Sequence, residues 1–197
     1  MHTLIRNKDA SRSDFVFYAD QLMRSLIEFS FDQLPYDEKT VTTPTGCAFS
    51  GLELSKEVIG VSIMRAGEAM EQALRSTIRG IKIGKILIQR DEASPAKQAK
   101  LFYSKLPEVN DLAILLLDPM LASGSSAVLA IQVLLERGVK EEDICFVNLI
   151  AAPEGVEVLM TKYPKIRVVT TMIDCNLNSD KYIIPGIGDF GDRYFGT

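Results

Sequence analysis

Between Leu115 and Leu135 the chain reads LLLDPMLASGSSAVLAIQVLL, an apolar run that ends in an acidic residue, crosses small side chains and opens into a second apolar segment. Asp118 falls at the carboxyl end of a buried strand. Ser123, Gly124, Ser125 and Ser126 carry so little side chain that their backbone N–H groups can approach an anion. A helix starting near Ser126 points its positive end at the same spot, worth about 0.3 to 1 kcal/mol at an exposed site. A carboxylate beside a phosphate needs a contact of its own, and sugar hydroxyls or a magnesium ion supply one. Phosphate, sugar and metal together describe a phosphorylated ribose. The same residues also suit an N-capped surface helix behind a buried strand, and the local pattern does not choose between the two.

Arg65 and Arg90 each follow a short apolar run. A guanidinium is permanently charged and offers a bidentate fork to phosphate oxygens, so two of them at strand ends suit a diphosphate. Taken singly, each also reads as a surface ion pair, Arg65 with Glu68 and Arg90 with Asp91 or Glu92.

The elements that must position these groups follow from periodicity. Phe15, Ala19, Leu22, Met23, Leu26 and Ile27 recur at helical spacing and predict a helix over 14–31. Thr40 to Gly51 reads as short strands or a hairpin. Strands are expected at 58–63, 85–89, 112–117, 144–151 and 166–172. Helices are expected at 66–78, at 126–137 ending on Gly138, and from Pro153. Continuous apolar strands alternating with helices imply an α/β fold, a mostly parallel sheet with helices on both faces. Sites on such sheets form beyond the carboxyl ends of the strands, which would bring Arg65, Arg90 and Asp118 to one edge.

Five segments, in order, resemble the uracil phosphoribosyltransferase family: GVSIMRAGEAM from Gly60, KILIQRDE from Lys85, LLLDPMLASGSS from Leu115, AAPEGV from Ala151 and YIIPGIGDFGDRYFGT from Tyr182. The resemblance covers nearly the whole chain. It implies a type I phosphoribosyltransferase-like domain over 1–197, with its core at about 55–175 and a small carboxyl-terminal hood that binds the base at about 176–197. The implied reaction moves ribose 5-phosphate from phosphoribosyl pyrophosphate (PRPP) to uracil, giving UMP and diphosphate in pyrimidine salvage.

The same resemblance makes Arg65, Arg90 and Asp118 the catalytic residues. It implies PRPP contacts from these three, from Pro119, Met120, Leu121, Ala122, Ser123, Gly124, Ser125 and Ser126, and from Asp189. Uracil falls to Ile183, Gly188, Asp189 and Phe190. Mg²⁺ would be bound mainly through PRPP or diphosphate rather than by a dedicated set of protein ligands. A homodimer or higher homo-oligomer and a GTP activator are further expectations of the resemblance alone. The segment 91–102, polar and carrying a proline, reads either as a mobile cover over the reacting sugar or as an exposed hairpin.

Composition bounds the alternatives. A chain of 197 residues, 47% hydrophobic and 24% charged, suffices for one buried core. A net charge of −4 with both signs interspersed gives no stripe for nucleic acid. No apolar run is long enough for a membrane span or an export signal, so the cytoplasm is the expected compartment. Cys47, Cys145 and Cys175 are widely spaced and read as reduced packing residues. The single histidine, His2, lies at a terminus expected to be mobile, which excludes a histidine-based triad.

Three departures from the family pattern stand out. The phosphate loop reads ASGSS rather than ATGGS, which would strain Ser125 if it required positive φ. RDEAS replaces an RDEET type, and the amino terminus is short. Two rivals to the enzyme reading are a non-catalytic uracil or nucleotide sensor and a fragment of a fused kinase and transferase. The nearest approach to a kinase P-loop, GIKIGK from Gly80, has one residue too few between its glycines and Ile86 where Ser or Thr is required.

Overall fold

The computed structural model describes residues 1–90, 99–108 and 111–197, with the side chain of Arg90 outside the description. The chain opens with α1 (His2–Arg6) and α2 (Arg12–Ser30). The second helix starts two residues earlier than its apolar period suggests, because Ser11 caps it and accepts a bond from the Asp14 N–H at 3.1 Å. Next come β1 (Tyr36–Thr42) and β2 (Ala48–Leu54), an antiparallel hairpin that is longer than the expected 40–51 and largely exposed.

β3 (Glu57–Met64) runs into a 3-10 turn at Ala66–Met70 and then α3 (Glu71–Thr77), so the helix expected over 66–78 is divided. β4 (Lys82–Arg90) and β5 (Ala99–Lys105) pair antiparallel. Residues 99–102 therefore belong to a strand, as the exposed-hairpin reading of this segment has it, rather than to a cover loop; 91–98, with the RDEAS departure, lie outside the described residues. β6 (Leu112–Leu117), β7 (Met120–Leu121), α4 (Ser125–Glu136), β8 (Ile144–Ala151), α5 (Pro153–Lys162) and β9 (Arg167–Ile173) complete the main layer. The hood consists of β10 (Asn176–Leu177), β11 (Ile183–Ile184) and α6 (Phe190–Phe195).

The seven-stranded sheet runs β5-β4-β3-β6-β8-β7, with β9 on β8, and is parallel except for β5. Every residue of β6 is buried. Its alternation explains the continuous apolar run: Ala113, Leu115 and Leu117 join the core beneath α2, whereas Leu112, Ile114 and Leu116 join the core beneath α4. The fold class read from the sequence holds.

Two smaller expectations do not. Of the cysteines, only Cys145 is buried; Cys47 and Cys175 are exposed and all three are free thiols. His2 is part of α1, and that terminal helix is docked rather than loose, since the Arg193 guanidinium donates to Ile5 O at 2.6 Å and to Asn7 O at 2.8 Å. No helix among the described residues is long and apolar enough to cross a membrane.

Candidate active site

Asp118 sits one residue past β6, 9% exposed. Its own N–H bonds Val147 O at 3.2 Å, and its carboxylate accepts from the Met120 N–H at 3.3 Å. Burial pushes its carboxyl up to about 7, against the smaller opposing effect of that bond. Asp118, Met120, Leu121, Ala122, Ser123, Gly124, Ser125 and Ser126 line one concavity at the start of α4. Pro119 does not border it. Its carbonyl instead accepts from Leu149 and Ile150 N–H at 3.1 and 3.0 Å, tying the loop to β8.

The loop takes its left-handed residue at Gly124, φ +79°, and Ser125 is the first residue of α4. The serine that departs from the family pattern therefore carries no positive-φ strain. Ser123 Oγ and Ser125 Oγ lie 3.2 Å apart, two hydroxyls at the helix start. The AAPEGV segment supports the loop from below. A β-carbon at Gly155 would fall 2.4 Å from Ala122 O, so only glycine permits that approach.

Arg65 follows β3 on the same edge, where Ser62 of β3 registers with Leu117 of β6. Gly67 packs so closely that a β-carbon there would lie 2.3 Å from Leu117 O, which fixes the RAG turn against the residue preceding Asp118. The guanidinium itself turns to the hood, donating to Asp192 Oδ1 and Thr197 Oγ1 at 2.7 Å each, with Phe195 beneath it. Glu68, the alternative partner of Arg65, pairs with Lys85. Arg90 ends β4, whose Leu87 registers with Met64, so its backbone lies along the same edge. Its side chain is not described.

A second cleft, of about 320 Å³, is lined by Met120, Ala122, Lys181, Tyr182, Ile183, Gly188, Asp189 and Phe190. It shares Met120 and Ala122 with the first concavity, so the two form one trough. All four residues assigned to the base by resemblance border it. Their side chains differ in what they offer: Asp189 is exposed and caps α6 by accepting from the Asp192 N–H at 2.8 Å. Phe190 is 2% exposed, stacked on Tyr194 and tilted against Phe15.

Three residues that sequence reasoning passed over belong to this region. Lys181 and Tyr182 border the second cleft. Asn148, fully buried in β8, donates from Nδ2 to Asp118 O at 3.0 Å and accepts from the Thr170 hydroxyl at 3.0 Å. A lone polar residue inside FVNLI was the available signal. Among the described residues no group of three His, Cys, Asp or Glu side chains is placed to hold a metal ion. One buried carboxylate, Asp118, and one exposed carboxylate, Asp189, would fit a Mg²⁺ that takes most of its ligands from a substrate's oxygens and water.

Comparisons with known proteins point to one family and one fold. The family model for uracil phosphoribosyltransferase matches residues 1–197. A uracil phosphoribosyltransferase of Dictyostelium discoideum is 54% identical over all of this chain and 91% of that protein. Uridine kinase-like protein 4 of Arabidopsis thaliana is 52% identical over all of this chain but only 42% of its own length. Among solved structures, the AQ2163 protein of Aquifex aeolicus superposes with a TM-score of 0.86 at 29% identity, covering 99% of this chain and 92% of that one. A purine phosphoribosyltransferase of Pyrococcus horikoshii shares the fold, with a TM-score of 0.53 at 12% identity over 82% and 84% of the two chains. With a whole-chain family match and more than half of its residues identical to those of a full-length relative, this chain belongs to the uracil phosphoribosyltransferase family.

Proposed function

We propose that this chain transfers ribose 5-phosphate from PRPP to N1 of uracil, releasing diphosphate and forming UMP for pyrimidine salvage, with the catalytic roles set out below. The observation that carries the assignment of roles is the shared floor of the two concavities. Met120 and Ala122 border both, so a sugar held over them has its 5-phosphate on one side and the base on the other.

The loop Ala122 to Ser126 holds the 5-phosphate with backbone N–H groups, the two hydroxyls and the start of α4. Asp118 accepts from the ribose hydroxyls and faces the positive charge that develops at the anomeric carbon. Arg65 and Arg90 stabilise the departing diphosphate. Ile183, Gly188 and Phe190 set the wall against which uracil lies, and the irregular backbone of 183–188 presents amide donors and acceptors to its edge. Asp118 and Asp189 are the residues that would hold a Mg²⁺ entering with PRPP, whose bound form supplies charge neutralisation of the leaving diphosphate. Catalysis in this scheme is positioning and electrostatic stabilisation, with no covalent intermediate.

The functional unit is one domain, its core at about 55–175 and its base-binding hood at about 176–197. We place it in the cytoplasm as a homodimer or higher homo-oligomer. The oligomer is supported by apolar side chains left exposed on the two hairpins, among them Phe49, Leu52, Phe102 and Tyr103. GTP activation rests on family resemblance alone.

The test is formation of UMP from labelled uracil, PRPP and Mg²⁺, with adenine, orotate and uridine as controls. Uracil-specific product is the expected result. PRPP binding without product would favour the sensor reading instead.

A further inference from the structure

Residues 183–188 form the turn that carries the base side of the cleft, and its centre is Gly186, at φ +59°. Both polar backbone atoms of Gly186 are taken by one ion pair. Its N–H donates to Asp174 Oδ2 at 2.8 Å, and its carbonyl accepts from Arg6 Nη1 at 3.0 Å. The pair is itself bidentate: Arg6 Nη1 reaches Asp174 Oδ2 at 2.8 Å and Nη2 reaches Oδ1 at 2.7 Å. The Arg6 and Asp174 side chains are 19% and 4% exposed.

Each partner is anchored on a different element. Asp174 follows β9 and its N–H bonds Ala151 O at 2.8 Å, which fixes the carboxylate to the sheet edge. Arg6 ends α1, whose Ile5 is fully buried in the core. The hood returns the grip, since Arg193 donates to Ile5 O, Asn7 O and Ile187 O at 2.6, 2.8 and 2.9 Å. A buried ion pair contributes little net stability compared with apolar residues of the same shape, but its geometry is specific.

From this arrangement we propose that Arg6 and Asp174 are positioning residues for the base: through Gly186 they set the turn bearing Ile183 and Gly188, and so uracil affinity, without touching substrate. The proposal rests on the uracil reading above. The loop 122–126 has anchors of its own, Pro119 on β8 and Gly155 beneath Ala122, whereas both polar backbone atoms of Gly186 depend on the pair, so loss of the pair acts first on the base side.

The test compares Arg6→Lys, which keeps the charge and loses the fork, with Arg6→Met/Asp174→Asn, which removes the pair and leaves no buried charge. Steady-state uracil KM, PRPP Kd by calorimetry, melting temperature and hydrogen exchange over 183–188 are measured on each. The expected result is a uracil KM raised about tenfold in the double variant and about threefold in Arg6→Lys, with PRPP Kd within about twofold and faster exchange at 183–188. A uracil KM within about twofold of the parent in a folded variant would overturn the proposal, as would a parallel rise in PRPP Kd. An unfolded double variant leaves the decision to Arg6→Lys. Failure of the parent chain to make UMP would instead sink the uracil reading. The exchange readout would still report whether the pair holds the turn, and unchanged exchange there would overturn that hold.

Discussion

The guanidinium of Arg65 lies 2.7 Å from the carboxylate of Asp192, joining the RAG turn to the carboxyl-terminal helix. The Arg65 guanidinium, with the Thr197 hydroxyl beside it, holds the Asp192 carboxyl below its usual range. Both side chains are about half exposed and screened by water, so the pair adds little to stability. Its consequence is orientation: Arg65, which lines neither concavity, is held against the carboxyl-terminal helix, and a diphosphate would have to draw its charge away from a single carboxylate. Arg65→Ala is expected to lower kcat/KM for PRPP by about 100-fold, about 2.7 kcal/mol of transition-state stabilisation. The melting temperature should stay within a few degrees. Steady-state kinetics beside a melting curve decide it, and unchanged kcat/KM would remove Arg65 from the site.

Asp118 carries a pH signature. Burial pushes its ionisation up to about 7, whereas in the unfolded chain it titrates near the ordinary 3.8. Between those values the folded chain binds the extra proton, so this group's contribution to stability is fully present below the lower value and is lost as pH rises through about 7. Asp118→Asn has no charge to bury, and its melting temperature should exceed that of the parent at pH 8 and approach it near pH 4. Activity moves the other way. If the ionised form faces the anomeric charge, kcat/KM for PRPP falls with decreasing pH below about 7 in the parent, and Asp118→Asn loses both that limb and most of the rate. A parent pH profile flat from 5.5 to 8 would contradict the assignment.

How much of this was legible in the chain depended on whether neighbours in space were also neighbours in pattern. Leu112 to Leu117 announced a central strand because burial on both faces leaves no polar alternation to misread. The loop between β6 and α4 was legible as a structure because its strand, small residues and helix are contiguous. Arg6 was not, since its partner Asp174 is 168 positions away and an arginine near the amino terminus has no periodicity to betray it. Asn148 was hidden for the opposite reason, sitting inside an apolar strand where burial, rather than exposure, gives it a role. The strand at Ala99–Lys105 was legible only as one of two readings of its segment, a hairpin or a cover, because its pairing with β4 is set by the sheet edge and a residue pattern such as AKLFYSK does not declare its partner.

Phe190 shows that bordering a cleft and touching its contents are different. The ring is stacked on Tyr194, centroids 5.4 Å apart, and Tyr194 in turn donates to Asp20 at 2.7 Å, so Phe190 anchors α6 to α2. Phe190→Ala should therefore do two things: destabilise by about 3 to 5 kcal/mol through the cavity it leaves, and raise the uracil KM more than the PRPP KM as the wall shifts. Phe190→Leu keeps most of the volume and should retain the fold, leaving the KM split as its readout. Equal rises in both KM values for the leucine variant would mean the hood does not serve the base.

Gly155 and Gly138 allow a paired test of the phosphate loop. Both look like ordinary helix-boundary glycines in the sequence. At Gly138, φ +89°, a β-carbon meets nothing within 4 Å, so Gly138→Ala costs only backbone strain, about 1 kcal/mol, and should leave both KM values alone. At Gly155 φ is unremarkable, but the added carbon would lie 2.4 Å from Ala122 O and 2.9 Å from Leu121 Cγ. The backbone oxygen cannot swing aside as a side chain could, so Ala122 must move, and with it the floor shared by the two clefts. Gly155→Ala is expected to raise the PRPP KM by about tenfold or more at a temperature where the variant remains folded. If it behaves like Gly138→Ala, losing a little stability and no donor affinity, the loop is not held from beneath by α5, and the separation of donor and base anchoring is wrong.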